Sequence, residues 1–477
     1  MGLVDSPGAT RIAGSALILI TGAVYLNSFP AAFHFDDYAL ILESSLVTER
    51  FEYGAFLEQY GGRPLTLWTF HLNYLVSGPQ AWAFHLVSLL LHLAVVLLLF
   101  LLILERFRNL GLALTTALLF GLHPIQTQAV NYVWARSVLL MSGFGLAALL
   151  LAARRPWAAA LCFQLALWSR AEAAMLLPFL WVVNRDRWRW WAGLSIANGL
   201  ALGWSLVKYS PAGMAWNHPD PVGYWLLQPV MFWKGLGLFL WPADLNLDHQ
   251  VPEPNLLLTV ISATALLAVA TAVLGSRRSC STPGIGLLWI LAFSLPTWVV
   301  PNLDPFSEQR LYLPAAGFAL AAAWLLFPRR TNRGWPNLVQ WVGIGMLAIL
   351  LIPPTLARNR IWNDDLLLWR DAVAKSPGKA RPHYNLGVAL LRDGQVEKAG
   401  ESFRAAVSLD PDDDYNWAAL GYLAELEGDR DAARAHYGRA VSMNPDNRYA
   451  QEGLERVGER GPDSPPAPGS GSDQTPK

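Results

Sequence analysis

The sequence predicts an all-α protein in two parts, a polytopic bundle of membrane helices followed by a small α-solenoid. Three observations carry that expectation. Residues 1–356 are long apolar runs with short polar connections, and the chain as a whole is 53% hydrophobic and only 15% charged. From about residue 357 the chain turns charged and alanine-rich, and a 34-residue repeat begins there. A soluble chain of 477 residues carries more charge than this one, whereas repeated apolar runs are what a bilayer selects.

The apolar runs lie near 11–29, 81–104, 110–122, 137–153, 156–168, 171–184, 189–208, 256–275, 284–300, 311–327 and 337–354, about eleven spans in all. The first has no small-residue cleavage pattern and reads as a retained helix. Several runs fall short of the roughly 20 residues that cross a hydrocarbon core of about 30 Å, so their ends are expected to extend into polar flanks. The run 225–241 is weaker, with Lys234 inside it.

Lysine and arginine placement orients the bundle. With Arg11 cytoplasmic, the basic clusters at 105–108, 154–157, 184–190, 276–278 and 328–333 also fall inside, provided that 225–241 does not cross. The sequence therefore predicts a multi-pass integral membrane protein (of the cell membrane, in a bacterium) with a cytoplasmic N-terminus and extracytoplasmic repeats. The long loop 30–80 and the connections 123–136, 209–255 and 301–310 then share the outer face.

Composition excludes several function classes. Lys and Arg number 36 and so do Asp and Glu, which leaves no basic field for nucleic acid. Cys162 and Cys280 offer neither a disulfide framework nor metal-ligand spacing. There is no HExxH, GxSxG or P-loop, so a hydrolase triad and an ATPase find no support. Few ionisable residues lie mid-span, which disfavours a transporter.

Chemistry is expected on the outer face. FHFDDYALIL (33–42) sets Asp36 and Asp37 where the first span leaves the membrane, either as a helix cap or as working carboxylates. Arg63, Arg136, Arg170 and Arg310 stand at outer membrane edges, where the positive-inside bias does not put them, and arginine forks suit a lipid-linked phosphate. Glu172 and Glu308 accompany two of these arginines, and His123 lies beside the same connections. Trp68, Trp82, Trp134 and Trp168 are placed to stack on sugar rings or to sit in an interfacial belt. Such a set suits transfer of a sugar from a polyprenyl phosphate to a hydroxyl. One aspartate acts as general base or holds a divalent cation (Mg or Mn, with Asp37 the ligand), and the arginines stabilise the departing phosphate.

Residues 380–413 and 414–447 align at an offset of 34, pairing Leu386 with Leu420, Gly387 with Gly421, Gly394 with Gly428, Phe403 with Tyr437 and Pro411 with Pro445. This is the tetratricopeptide pattern. Residues 363–377 read as a lone second helix opening the stack and 448–458 as a closing helix, which gives a repeat domain over 357–458 and a Pro/Gly/Ser-rich, disordered tail over 459–477. Repeat arrays of this kind bind peptide segments of partner proteins.

The segments FHFDDYALIL, GRPLTLWTFHLNYLVSG, HPIQTQAVNYVWARSVLL, WSRAEAAMLLPFLWVV, LWPADLNLDHQVP and SEQRLYLPAAGFAL, taken in order, resemble the GT-C glycosyltransferases. The likeness is to the transmembrane and tetratricopeptide-repeat-containing O-mannosyltransferases and their bacterial relatives. It implies a polyprenyl-phosphate-sugar donor, a protein hydroxyl acceptor and catalysis in the first outer loop. Asp36 and Asp37 match that family's acidic pair, and Arg310 matches the arginine of its RYLYLP-like segment. Gln126 and Gln128 stand where relatives often carry His and Glu, and WSRAE replaces a more usual SKE. A non-catalytic membrane scaffold presenting repeats is the alternative, and Asp36 and Asp37 discriminate between the two.

Overall fold

Several helices of the bundle begin where the sequence supplies a local reason. Pro64, Pro156 and Pro221 sit in the first turn of their helices, where the missing N–H costs nothing. Asn109 caps Leu110–Leu122 by accepting from the Leu112 N–H at 2.9 Å. Arg108, with φ of 52°, turns the chain sharply between that helix and Ala81–Phe107, so the two pack as antiparallel neighbours. The computed structural model describes residues 7–49, 63–183, 193, 220–274, 282–326 and 338–459.

These residues form two compact units. The first holds Met1–Leu245 and Val251–Asn363, the second Asn246–Gln250 and Asp364–Lys477. The sequence drew the boundary at 356/357; helix Leu338–Ile361 runs on past that point, and the division falls between Asn363 and Asp364.

Helix Leu110–Leu122 is the axis of the first unit, with all 13 of its residues buried. Ala81–Phe107, Pro314–Leu326, Pro7–Tyr25 and Leu338–Ile361 pack around it. It is short because His123 and Pro124 break it, and the chain continues as Pro124–Asn131 after a bend of 54°. Gly286 and Gly317 let Thr282–Val299 and Pro314–Leu326 approach closely, since a Cβ on either would lie 2.7 or 2.5 Å from the other's carbonyl oxygen.

Among the described residues six helices are long and apolar enough to cross a membrane, or seven if the bent pair counts as one span. That count is of the described residues alone, and run 189–208 lies outside them, apart from Gly193. Pro156–Ser169 is 14 residues long, and Ala171–Val183 and Pro314–Leu325 are also short. Helix Pro221–Leu240, which carries Lys234, is not among the six.

The second unit is a stack of antiparallel helix pairs. Asp365–Lys375 opens it and Arg448–Glu459 closes it, with Ala380–Arg392/Val396–Leu409 and Asp414–Glu427/Arg430–Met443 between. A Cβ on Gly387 would lie 2.5 Å from the Phe403 ring, and one on Gly421 would lie 2.7 Å from the Tyr437 ring. Small residues at these points are therefore what lets the two helices of each pair close on their aromatic partner. The five inserted residues Asn246–Gln250 clip onto the turn after the opening helix. Asp248 is buried there between Lys379 and Arg381, and the Ser376 hydroxyl donates to the Asp248 carbonyl at 2.7 Å.

Candidate active site

The acidic pair divides into two different environments. Phe35 adopts φ of 51°, a left-handed conformation rare for a bulky residue, and the chain turns back on itself so that the Asp37 N–H donates to the His34 carbonyl at 2.9 Å. Asp37 is fully buried. One oxygen accepts the His34 N–H at 3.1 Å and the other the Trp134 N–H at 2.7 Å. Its side chain bonds backward and across, not onto the following turn Tyr38–Leu42, so it is a staple between two loops and not a cap for that turn. Burial pushes the carboxyl up to about 7, against the pull of the His34 and Trp134 N–H groups and the His34 charge.

Asp36 is half-buried, and its Oδ2 accepts the Tyr132 hydroxyl at 2.6 Å. Tyr132 comes from HPIQTQAVNYVWAR, a connection in which residues 123–133 are all buried. Short helical turns over Pro124–Gln126, Thr127–Asn131 and Val133–Ala135 satisfy that backbone locally, which is how a loop survives in the interior. Its position is set from three sides. The Gln128 amide oxygen accepts the Gln309 N–H at 2.8 Å, the Asn131 amide donates to Asn359 at 2.9 Å, and the Tyr132 ring stacks on Trp362 at 6.3 Å.

Three arginines gather near Tyr132, the partner of this carboxylate. Arg63 stands over the Trp134 ring at 5.9 Å. Arg170 binds Glu172 through two nitrogens and reaches the Ser137 hydroxyl at 3.4 Å. Arg310 donates to the Asp304 carbonyl at 2.7 Å from the 3₁₀ turn Glu308–Leu311. Burial lowers the Arg63 guanidinium to about 10; Arg170 and Arg310 add to the effect, while Glu172 and Tyr132 oppose it. Arg63, Arg170, Arg310, Glu172 and Tyr132 thus share one electrostatic neighbourhood, which Asp304 joins beside Arg310.

Two clefts open on it. One is lined by Arg170, Glu172, Gln309 and Arg310 together with Val138, Met141 and Phe293. The other is lined mainly by Met231, Phe232, Ile290, Trp298, Phe306 and Phe318. Arg310 and Thr297 border both. A largely apolar cleft bordered by the Arg310 guanidinium suits a lipid phosphate.

Other sequence-derived residues are placed elsewhere. Arg136 is fully buried between the Phe70 and Phe84 rings and donates to the Thr69 and Phe84 carbonyls and to Asn73. It fastens helix Pro64–Ser77 to Ala81–Phe107 and has no surface left for a substrate. Both ring nitrogens of His123 are engaged, with the Phe239 carbonyl at 2.8 Å and the Ile125 N–H at 3.2 Å. Glu308 is fully buried at the base of the turn that presents Arg310. Trp68, Trp82 and Trp168 are about half exposed, and of the four tryptophans only Trp134 touches the site's arginines.

Among the described residues no three His, Cys, Asp or Glu side chains gather closely enough to hold a metal ion. Each Asp37 oxygen already accepts a backbone N–H group. Sequence reasoning missed Tyr132 and Trp362. Tyr132, in HPIQTQAVNYVWAR, carries no charge to mark it. Trp362 reaches His34 across 328 residues, which no local spacing can reveal.

Comparison with known proteins agrees with this architecture. Tetratricopeptide repeat models match residues 380–413 and 415–447. The chain is 26% identical over 439 residues to Protein O-mannosyl-transferase F38B6.6 of Caenorhabditis elegans, covering 83% of this chain and 62% of that protein. It is 25% identical to Protein O-mannosyl-transferase TMTC3 of Mus musculus, over 83% of this chain and 51% of that one. It is likewise 25% identical to Protein O-mannosyl-transferase TMTC1 of Homo sapiens, over 91% and 58%. The chain thus spans between half and two thirds of the length of these relatives.

Proposed function

We propose that the chain is a membrane glycosyltransferase that moves a sugar from a polyprenyl-phosphate donor to a hydroxyl of a protein, on the extracytoplasmic face. The observation that carries the reading is the gathering of Arg63, Arg170 and Arg310 around Tyr132, whose hydroxyl bonds Asp36, with Arg310 bordering a largely apolar cleft. The relatives' names favour mannose as the sugar and protein as the acceptor. The prenyl chain lies along Met231, Phe232, Trp298 and Phe318, with its phosphate among the guanidiniums. The acceptor oxygen attacks the anomeric carbon and its proton passes to Asp36. The bond between that carbon and the phosphate oxygen breaks, and the arginines stabilise the charge left on the lipid phosphate. Asp37 holds the loop that presents Asp36. The repeats of the second unit bind the acceptor polypeptide, and lysine and arginine placement supports the outward orientation.

The test uses the purified full chain in lipid nanodiscs with polyprenyl-phosphate mannose and serine- or threonine-containing peptides. Release of polyprenyl phosphate coupled to labelled peptide is the expected result. A chain that turns over no polyprenyl-phosphate sugar, with or without peptide, sinks the reading and leaves the scaffold. Because Asp37 acts as a staple, transfer should also survive excess EDTA; abolition by the chelator, restored by Mg or Mn, would show that a cation takes part.

A further inference from the structure

We infer that Trp362 is a positioning residue for the transfer reaction, setting the geometry of the Tyr132–Asp36 pair from the far end of the membrane unit; the inference rests on the function proposed above. Trp362 is the first residue beyond helix Leu338–Ile361 and is fully buried. Its N–H donates to the Asn359 carbonyl at 3.1 Å, which closes the helix end and points the indole inward. The ring does two things at once. It lies at 26° to the Tyr132 ring with centroids 6.3 Å apart, and it meets the His34 ring edge-on at 5.6 Å. Its carbonyl is bonded to His34 Nε2 at 2.5 Å. His34 in turn supplies one of the two N–H groups on Asp37, and Tyr132 supplies the hydroxyl on Asp36. One side chain thus braces a partner of each aspartate.

The brace is itself braced. Thr355 donates to the Leu122 carbonyl at 2.6 Å, Asn359 donates to Asn27 at 2.9 Å and receives the Asn131 amide at 2.9 Å, and Asn363 donates to the Asn27 carbonyl at 3.0 Å. Four bonds over nine residues hold the end of this helix to the end of the first span and to the 123–136 connection, more than a helix terminus needs for its own satisfaction. A buried ring large enough to touch both Tyr132 and His34 is the function that such fixing serves. Trp362→Phe shortens the ring that meets both, and so frees the Tyr132 hydroxyl to shift by up to about 1 Å while leaving the backbone bonds in place. Displacements of that size at a reacting group cost up to about 100-fold in rate.

The experiment is a double-mutant cycle on donor turnover with Trp362→Phe, Tyr132→Phe and the pair, with melting temperature measured for each. Trp362→Phe is expected to lower kcat about 10- to 100-fold with donor KM within about twofold, and to lower it no further in the Tyr132→Phe background. Trp362→Tyr, which carries the same six-membered ring with an added hydroxyl, serves if the Phe variant does not fold, with the same expectation. A wild-type kcat in the single variant, or a loss of the same size in both backgrounds, overturns the positioning role and leaves Trp362 as packing. A wild-type chain with no donor turnover overturns the proposed function, and the inference falls with it. A variant that loses rate only in step with its melting temperature counts as packing too.

Discussion

At the residue scale Asp36 and Asp37 are neighbours with opposite tasks, and substitution separates them. Asp36→Asn keeps the Tyr132 bond but removes the base, so transfer should fall by about 10²–10⁴ while the melting temperature stays near that of wild type. Asp37→Asn turns an amide N–H₂ toward one of two backbone donors. It should lower the melting temperature and disturb transfer indirectly. Equal melting temperatures for the two variants would show that Asp37 is no staple. The pH dependence has a definite sign. The folded state raises the Asp37 carboxyl from 3.8 to about 7 and so holds its proton more tightly than the unfolded chain does. Stability tied to this group is complete below 3.8 and is lost as pH rises through 7. Melting curves between pH 4 and 8 should show that slope in the wild type and not in Asp37→Asn.

At the scale of elements, the arginines that look alike in sequence act in different ways. Arg136 joins helices Pro64–Ser77 and Ala81–Phe107. Arg136→Ala strands three acceptors and leaves a void between Phe70 and Phe84, a loss of about 2–5 kcal/mol that should appear as failure to fold or a large fall in melting temperature. Arg310 projects from the short turn Glu308–Leu311 into both clefts. Arg310→Ala should melt close to wild type and raise donor KM about tenfold or more, the value of one charge-assisted bond to phosphate. A fold unaffected by Arg136→Ala, or donor binding unaffected by Arg310→Ala, would reverse these assignments. In the repeats, Gly387 and Gly421 meet aromatic rings and tolerate no side chain.

At the scale of the molecule the proposed division of labour is testable. Gly387→Leu should unfold the repeat unit and abolish transfer to peptide while donor hydrolysis by the membrane unit continues. Loss of both together would mean that the repeats are needed to form the donor site. Orientation is read by reporter insertion: a fusion after residue 360 should report from the extracytoplasmic side and one at residue 278 from the cytoplasm. Agreement between the two reporters would show that helix Pro221–Leu240 crosses the membrane.

Composition and the repeat offset by themselves determined the all-helical class and the repeat registers and marked out the acidic pair, because apolar runs, a 34-residue offset and a bare charge in an apolar chain are local facts of sequence. The opening and closing repeat helices were legible for the same reason and lie at Asp365–Lys375 and Arg448–Glu459. Span ends were less legible, since breaks such as His123–Pro124 and the continuation of Leu338–Ile361 depend on what each helix packs against. Which arginine faces a cleft and which is locked between two phenylalanines was decided only in three dimensions. So was the fastening of Asn246–Gln250 to the repeats, and the meeting of His34, Tyr132 and Trp362 from three distant stretches of chain. A sequence records each residue's chemistry but not its neighbours, and whether a buried charge serves structure or reaction depends on which neighbours satisfy it.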